Sequence, residues 1–383
     1  MDGVIEGPRV LSLYEGFFAG GARILHTAVV RGLDATSGQR HRVLSLTNRV
    51  QREFTEQAIT DDTSYRRLAR AGVPIQALDR TSDQPLSVTQ LQMIERAVGD
   101  ADLILSLKEQ PLAALSAVGT RGTPLLVALH RSDPEHSGPA LTALMNLYAE
   151  RALTAAICCS HATQRAYHEA TGIPLQMLPV IENGVDLFKF QADAPRRAEV
   201  RARLGIAADV PVVMLAARFD EMKDVPLFLQ AAERFLRREP RAHFILCGAG
   251  MEPTKLGALL DPFPTRQVHP LGIRRDMPGL YNATDLVALT SLYGEAAPLC
   301  LLEGMASGAV PVTTAVGDSA RIVGDPRLVT SRDPQEIADT WSAAFAERDE
   351  HRERIARHRQ RLSEQRCFDA YARLINATAP APV

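Results

Sequence analysis

The chain has 383 residues, of which 46% are hydrophobic and 23% charged, and its formal net charge is −2 at pH 7. This length favours two domains over a single core, and the near-neutral charge gives no electrostatic support for binding nucleic acid. The five cysteines include no C-x-x-C pair, which indicates free thiols in a reducing compartment. Because there is neither a secretory signal pattern nor an apolar run long enough to span a membrane, the sequence predicts a cytoplasmic protein.

The first half of the chain alternates predicted strands and helices. A strand over 9–13 leads through a glycine-containing loop at 15–22 into a helix over 23–33, an arrangement that can hold a phosphate. The alternative is a tight turn that serves only packing. A dinucleotide site is disfavoured, because G-x-G-x-x-G is absent and the next strand, 41–46, ends without the acid that would bind a ribose. Further strands are predicted at 75–78, 103–107, 125–129, 155–159 and 175–180, and further helices at 63–71, 88–98, 111–118, 140–153 and 164–171.

Repeated strand–helix units predict a parallel sheet covered on both faces, with ligands beyond the carboxyl ends of the strands. His130 follows the strand at 125–129 and is therefore a candidate site residue, although a histidine at a strand end is also a common structural hydrogen-bonding group. Asp100 and Asp102 form a D-x-D pair of the kind that binds metal, but they lie between a predicted helix and strand and favour a solvated turn. No other cluster has ligand spacing, so no metal is predicted.

The second half repeats the pattern after a turn at 182–186 and a linker at 191–201, where we place the domain boundary. Predicted strands follow at 210–216, 243–247, 268–271, 286–289 and 310–314, with helices at 226–237, 277–282, much of 334–362, and 368–375. Two doubly wound halves predict a cleft between them.

Charge of both signs follows the strands of the second half. The loop 218–224 holds Arg218 and Lys223, which suit a diphosphate; the alternative is a solvated loop with ion pairs to Asp220 and Asp224. In the stretch 293–312, Glu295 and Glu303 are separated by seven residues, and a predicted helix opens between them.

That helix starts at Pro298 and Leu299 and ends at Ser307–Gly308. Its N-terminus can hold a phosphate while the two acids hold hydroxyls. The alternative for Glu303 is an exposed helix residue, which its apolar neighbours disfavour.

These residues resemble a known family. The stretch from Glu295 to Val312 is similar to the E-x7-E signature of the retaining glycosyltransferases of family four, and Leu215–Arg218 with Lys223 resembles their diphosphate-binding motif. Further resemblances are Asn183–Asp186, Gly248–Gly250, Leu271–Gly272, Asp276 and Tyr281–Asp285. The resemblance implies an α/β protein of the GT-B fold, with two Rossmann-like, doubly wound domains facing an interdomain cleft. It implies an acceptor-side domain at 1–188, a donor domain at 189–362, and at 363–383 a helix that crosses back to the first domain, followed by a tail.

The resemblance also implies site residues. Glu295 would contact the hydroxyls of the transferred sugar, Glu303 the ribose, and His130 the donor sugar. Catalytic roles are implied for His130, Glu295, Arg218 and Lys223, and donor binding for Gly20, Gly21, Arg218, Lys223, Gly248, Gly272, Ile273, Ala297, Pro298, Leu299 and Glu303. The chain departs from the family at Ala296 and Ala297, at Asp224 in place of the usual glycine, and at Gly317–Asp318 in place of a common Gly-Gly.

The implied reaction is metal-independent transfer of a hexose, with retention, from a nucleoside diphosphate sugar to an acceptor hydroxyl. UDP-glucose and UDP-N-acetylglucosamine are favoured as co-substrate, with no separate cofactor and a small-molecule, glycan or lipid-linked acceptor. Alternatives are a GT-B sugar-nucleotide hydrolase or epimerase, and a catalytically silent nucleotide-sugar binding protein. Peripheral membrane contact through Arg66, Arg67 and Arg70 is disfavoured, because near-neutral charge favours a solvated helix face.

Overall fold

The structure, a computed structural model, describes residues 7–18, 20–52, 55–264 and 266–380. It divides into two compact units. Unit 1 comprises Met1–Asn183 together with Gln365–Val383, and unit 2 comprises Gly184–Glu364. The chain therefore leaves unit 1 within the predicted turn at 182–186 and re-enters it for the C-terminal helix.

Unit 1 contains a parallel sheet with the strand order β5-β2-β1-β6-β7-β8, and a separate antiparallel pair, β3-β4. Its strands are β1 (Arg9–Tyr14), β2 (Arg40–Ser45), β3 (Arg49–Arg52), β4 (Thr55–Ala58), β5 (Ile75–Ala77), β6 (Leu103–Leu107), β7 (Leu125–Leu129) and β8 (Ala155–Cys158). Its first helices are α1 (Gly21–Thr36), α2 (Thr63–Arg70), α3 (Val88–Gly99), α4 (Leu112–Val118), α5 (Pro139–Ala149) and α6 (His161–Thr171). Strands β6 and β7 are buried along their whole length, as expected for central parallel strands with near-continuous apolar sequences.

Unit 2 contains a second parallel sheet, with the strand order β11-β10-β9-β12-β13-β14. Its strands are β9 (Val212–Ala216), β10 (His243–Cys247), β11 (Val268–Pro270), β12 (Leu286–Leu289), β13 (Val310–Thr314) and β14 (Val329–Thr330). Its helices are α7 (Ala194–Leu204), α8 (Val225–Leu236), α9 (Pro253–Leu256), α10 (Met277–Ala283), α11 (Leu299–Ala306), α12 (Ser319–Val323), α13 (Pro334–Ala346) and α14 (Arg348–Arg357). The last helix of the chain is α15 (Glu364–Thr378).

An aromatic cluster forms the centre of one half of the unit 2 core. The fully buried ring of Trp341, on α13, has its centroid 5.2 Å from Phe228 and 5.8 Å from Phe235, both on α8, and 6.4 Å from Phe244 on β10. Such tilted and edge-to-face contacts add about 0.5–1.5 kcal/mol per pair to the burial of the rings. Two helices are thereby fixed to the sheet face beside β9, and this packing positions the loop between β9 and α8.

Helix α15 packs against α1 in unit 1. The ring of Phe368 lies so close to Gly32 that a Cβ there would come within 2.5 Å of it, and the Gln39 side chain donates to Asn376 at 2.8 Å. A glycine in the middle of α1 therefore makes room for the aromatic ring of the returning helix.

The strand predicted at 175–180 is wrong. Leu175–Met177 forms a single 3₁₀ turn, and pairing with β8 is limited to one bridge between Val180 and Cys158. Pro174 precedes the segment and Pro179 lies within it, and neither has an N–H to donate to a ladder. Leu175 is 46% exposed. The hairpin β3-β4 was not predicted at all, because its strands are only four residues long and largely polar.

Candidate active site

The direction of the strand order in unit 2 changes between β9 and β12. From β9 the chain continues outward through β10 and β11, whereas from β12 it continues the opposite way through β13 and β14. In open parallel sheets, a crevice forms at such a point beyond the carboxyl ends of the strands, and ligands bind there. The segments that follow β9 and β12 carry Arg218, Lys223 and Glu295.

Lys223 and Glu295 form an ion pair at this point. The Lys223 ammonium donates to Glu295 Oε1, and Ser291 Oγ donates to the same oxygen at 2.6 Å. The side chains of Lys223 and Glu295 are only 14% and 7% exposed. Lys223 ends a 3₁₀ turn, Glu221–Lys223, whose start is capped by Asp220 through a 3.1 Å bond from the Lys223 amide. The structure thus pairs Lys223 with Glu295 and not with its neighbour Asp224.

Further hydrogen bonds join the two loops that carry this pair. The Leu292 amide donates to the carbonyl of Met222 at 2.8 Å. Thr290 Oγ1 lies 3.1 Å from the carbonyl of Lys223 and 3.2 Å from that of Asp224, and donates to them. The backbone on both sides of Lys223 is therefore held to the end of β12.

Arg218 is more open than Lys223. Its side chain is 49% exposed and pairs with Asp220 at 3.0 Å, as in the alternative of a local ion pair. Because exposed ion pairs contribute only about 0–1 kcal/mol, a diphosphate can displace Asp220 from the guanidinium at little cost. Arg218 is thus available to a ligand at the same sheet edge as Lys223.

Three glycines allow the loops at this edge to approach one another closely. A Cβ at Gly248 would lie 1.9 Å from the carbonyl oxygen of Ala217, and one at Gly317 would lie 1.9 Å from that of Glu295. Gly272 has φ +62°, and its carbonyl accepts a 2.9 Å bond from the Gly248 amide. The next residue, Ile273, is 65% exposed at the same sheet edge. The predicted residues Gly248, Gly272 and Ile273 therefore lie together beside the Arg218 loop.

Helix α11 begins directly after the Glu295 loop. Pro298 is its N-cap and Leu299 its first residue, so Ala297 and Pro298 form the entry to the helix. Glu303 is partly buried on α11. The pKa of the buried Tyr281 phenol is raised well above its usual range, chiefly by burial and next by the negative charge of Glu303. Burial and the charge of Glu295 raise the pKa of Cys300 to about 12, so this thiol stays protonated.

His130 lies in unit 1, immediately after β7. Its Nε2 is buried and has no hydrogen-bond partner among the described residues. Burial and, to a smaller extent, the charge of Lys108 lower the pKa of His130 to about 3, so the ring is neutral at physiological pH. Gly20 precedes α1 and Gly21 is the first residue of that helix, and the buried guanidinium of Arg23 lies 3.7 Å from the centre of the Phe18 ring.

Two residues of the unit 2 site were missed from the sequence. Ser291 follows β12 by two positions and could have been noticed as a polar residue at a strand end. Arg332 follows β14 and donates to Asp224, which is 108 residues away, so no local pattern indicated it. Asp102, from the D-x-D pair, accepts hydrogen bonds from Arg9 instead, which lower the pKa of its carboxyl.

Within the described ranges, no group of three or more His, Cys, Asp or Glu side chains is arranged to hold a metal ion. No helix among these same residues combines the length and the apolar character needed to cross a bilayer.

Comparisons with known proteins match both units. Residues 19–188 match the family model described as Glycosyltransferase Family 4, and residues 210–346 match the one described as Glycosyl transferases group 1. A D-inositol 3-phosphate glycosyltransferase of Xylanimonas cellulosilytica is 34% identical over 224 residues, which are 55% of this chain and 53% of that protein. A UDP-Gal:alpha-D-GlcNAc-diphosphoundecaprenol alpha-1,3-galactosyltransferase of Escherichia coli is 27% identical over 169 residues, which are 43% of each chain. The matched stretch of the chain thus spans about half the length, or less, of these relatives.

Among solved structures, Anabaena Alr3699/HepE in complex with UDP-glucose superposes with a TM-score of 0.78 and 24% identity, covering 97% of this chain and 99% of that one. Two parallel α/β units with this likeness define the GT-B fold of two Rossmann-like domains, as the sequence predicted. Within that class, the chain belongs to the glycosyltransferases of family four.

Proposed function

We propose that the protein transfers a hexose, with retention at the anomeric carbon, from a nucleoside diphosphate sugar to a hydroxyl group of an acceptor. The observation that carries this proposal is the cluster beyond β9 and β12, where the strand order of the unit 2 sheet changes direction. There Lys223, Glu295 and Ser291 are hydrogen-bonded, and Arg218 lies on the same edge. Two cations suit a diphosphate, and a carboxylate suits the hydroxyls of a sugar.

The diphosphate would be bound by Arg218 and Lys223. Arg218 would exchange its exposed pair with Asp220 for a phosphate oxygen, whereas Lys223 would share its ammonium between Glu295 and the second phosphate. As the bond to the sugar breaks, negative charge grows on the departing diphosphate, and cations already in place stabilise it without rearrangement. This arrangement would perform the task without a metal ion.

Glu295 is proposed to position the sugar and not to attack it. Its Oε1 already accepts two hydrogen bonds, from Lys223 and Ser291, which holds the carboxylate in one orientation and makes it a weaker nucleophile. Retention would then arise from attack by the acceptor on the same face from which the diphosphate leaves. Glu303 is proposed to bind the ribose. His130, whose ring is neutral, is proposed to form a hydrogen bond with the donor sugar without adding charge.

UDP-glucose and UDP-N-acetylglucosamine are the first candidates for the donor. The solved structure with the same fold is a complex with UDP-glucose, and the Escherichia coli relative is named for UDP-Gal. The names of the relatives include an inositol phosphate and a diphosphoundecaprenol, which supports small phosphorylated and lipid-linked acceptors as the first to test.

The test begins with a thermal-shift screen of UDP- and GDP-sugars, followed by mass spectrometry of products with inositol phosphates and diphosphate-lipid analogues as acceptors. Nuclear magnetic resonance of the product gives the anomeric configuration. Donor loss that does not depend on an acceptor would indicate a hydrolase or epimerase, and binding without turnover in the presence of every acceptor would favour a silent binding protein.

Variants then test the site itself. We expect Arg218→Ala and Lys223→Ala each to lower turnover by about 10²–10³-fold, because each removes one preorganised charge. Arg241→Ala, which breaks an exposed pair with Asp209, serves as the control and should leave turnover unchanged. Wild-type turnover in both site variants would refute the assignment of the diphosphate site.

A further inference from the structure

The residue directly after Lys223 has an unusual backbone conformation. Asp224 has φ +44° and ψ +60°, in the left-handed region that glycine adopts without cost. For a residue with a Cβ this conformation costs about 1–2 kcal/mol. Part of the cost is offset locally, because Asp224 is the N-cap of α8 and its Oδ1 accepts a 3.1 Å hydrogen bond from the Leu227 amide.

The second oxygen of Asp224 has a distant partner. Arg332, just after β14, donates through Nη2 to Asp224 Oδ2, and through Nη1 to the carbonyl of Thr290 at 3.1 Å. The side chains of Arg332 and Asp224 are 35% and 23% exposed, so the pair is partly shielded from water. One guanidinium thus holds both the loop after β9 and the end of β12.

These contacts converge on Lys223. Thr290, whose carbonyl Arg332 holds, donates its hydroxyl to the carbonyls of Lys223 and Asp224. The backbone of Lys223 is therefore fixed on its C-terminal side by Thr290 and by the Asp224–Arg332 pair. Its ammonium is fixed by Glu295.

We propose that Arg332 is a positioning residue for Lys223, and that it acts through Asp224. The inference rests on the proposed role of Lys223 in binding a diphosphate. A non-glycine residue holds the left-handed position because Arg332 pairs with its carboxylate. Without that pair, the partly buried Asp224 carboxylate keeps its hydrogen bond from the Leu227 amide but loses its cation. The loop then relaxes and moves the Lys223 ammonium.

The proposal makes a specific prediction about glycine. Glycine at position 224 adopts the left-handed conformation without strain and has no carboxylate to pair, so the loop should no longer depend on Arg332. The effect of removing Arg332 should therefore depend on which residue stands at position 224. A residue with a purely structural role at the sheet edge would show no such dependence.

The experiment measures UDP binding by isothermal titration calorimetry, and KM and kcat for UDP-glucose, in a double-mutant cycle. We expect Arg332→Met to raise the Kd for UDP by about tenfold, in the range of couplings between residues in contact. Arg332→Lys, which keeps a positive charge, should raise the Kd by less than Arg332→Met does. Asp224→Gly should stay within about threefold of the wild type, and Asp224→Gly/Arg332→Met within about twofold of Asp224→Gly. Arg238→Met, which breaks the pair with Asp339 near the other end of α8, is the matched control and should leave the Kd unchanged.

The outcomes test the inference about Arg332 separately from the proposed role of Lys223. If Arg332→Met weakens UDP binding equally in both backgrounds, or in neither, Arg332 does not act through Asp224 and the inference is wrong. Lys223→Ala, measured beside them, separates this failure from failure of the proposed role of Lys223 in binding a diphosphate, which is refuted if that variant binds UDP like the wild type. Should Arg332→Met fold poorly, the same comparison with Arg332→Lys, alone and combined with Asp224→Gly, still reports the coupling.

Discussion

The sheet of unit 2 has a charged cluster at each end, and the two clusters differ in how completely the protein satisfies them. At the amino end, Asp285 is 2% exposed and accepts hydrogen bonds from Arg197 at 2.6 Å, Arg201 at 2.7 Å, Arg352 at 3.0 Å and the Val212 amide at 3.0 Å. At the carboxyl end, the cluster around Lys223 includes the half-exposed Arg218 and is carried by loops and not by the sheet itself.

This difference separates a structural cluster from the proposed ligand site. The Asp285 carboxylate accepts hydrogen bonds from donors on α7, α14 and β9, and its role is to fix those helices to the sheet. At the carboxyl end, Arg218 and Lys223 hold acids that the diphosphate of the proposed function would replace or share. Burial and charge alone therefore do not mark a binding site; the decisive feature is whether the partners can be exchanged.

The largest effect that tests this comparison is expected at Asp285. Asp285→Ala should lower the free energy of unfolding by about 3–5 kcal/mol, because it leaves three arginines close together with their shared partner removed. Urea denaturation measures the change. UDP binding per folded molecule should be unchanged at low temperature, since the carboxyl end of the sheet is intact.

Asp209→Ala is the matched control for this prediction. Asp209 also pairs with an arginine, Arg241, but both side chains are about two-thirds exposed, so the loss should be far smaller than that of Asp285→Ala. A loss of similar size in both variants would mean that burial of the Asp285 cluster contributes nothing beyond an ordinary ion pair.

The second prediction concerns the carboxyl end. Gly317 has φ +60°, and an added Cβ would lie 1.9 Å from the Glu295 carbonyl oxygen and 3.1 Å from that of Ala296. Gly317→Ala should cost about 2–3 kcal/mol of stability, of which about 1–2 kcal/mol is backbone strain. Because the Glu295 loop must move, turnover of the donor should also fall by at least about tenfold.

Gly205→Ala separates the two contributions. Gly205 has φ +70° at the end of α7, and apart from its chain neighbours no atom of the described residues lies within 4 Å of the added Cβ, so this variant tests backbone strain alone. It should lose stability without losing turnover. If Gly317→Ala kept full turnover, the exact position of the Glu295 backbone would not matter to the reaction.

The fold was predictable because its signals are local. Apolar runs such as 103–107 and 125–129 are long enough to indicate buried parallel strands, and most of the predicted strands and helices agree with the structure to within a few residues. The strand prediction at 175–180 failed because its apolar residues outweighed Pro174 and Pro179 in the prediction, whereas these prolines decide the backbone.

The candidate site was predictable in part. Arg218, Lys223 and Glu295 could be brought together from the sequence, because parallel strands present the residues that follow them at one edge of the sheet. The pairing of Lys223 with Glu295 and that of Arg332 with Asp224 were not predictable, because they depend on side-chain geometry between segments far apart in the chain. The left-handed conformation of Asp224 was not predicted either, although the usual glycine of the family at this position is a sign of such a backbone.

The smallest expected effect is a dependence of stability on acid, near the amino end of the sheet. His243 Nδ1 lies 2.8 Å from His269 Nε2, with the rings stacked at 17°. Burial lowers the pKa of His243, and burial together with His243 lowers the pKa of His269 to about 4. Because the folded-state pKa values lie below the unfolded value of about 6.5, the folded protein binds fewer protons. The stabilisation is therefore complete above about pH 6.5 and is lost as the pH falls towards 4.

Replacing one ring isolates this contribution from that of other histidines. Between about pH 6.5 and 4, the free energy of unfolding of the wild type should fall by roughly 1–2 kcal/mol more than that of His269→Gln, a value discounted for the partial exposure of both rings. Urea denaturation across this range measures the difference, and His358→Gln, which removes an exposed histidine at the end of α14, should behave like the wild type. Parallel curves for the wild type and His269→Gln would show that the ring pair is as easily protonated in the folded chain as in the unfolded one. If the expected difference in unfolding free energy appears while His269→Gln binds UDP at neutral pH like the wild type, the histidine pair acts on stability alone, as we expect for Asp285.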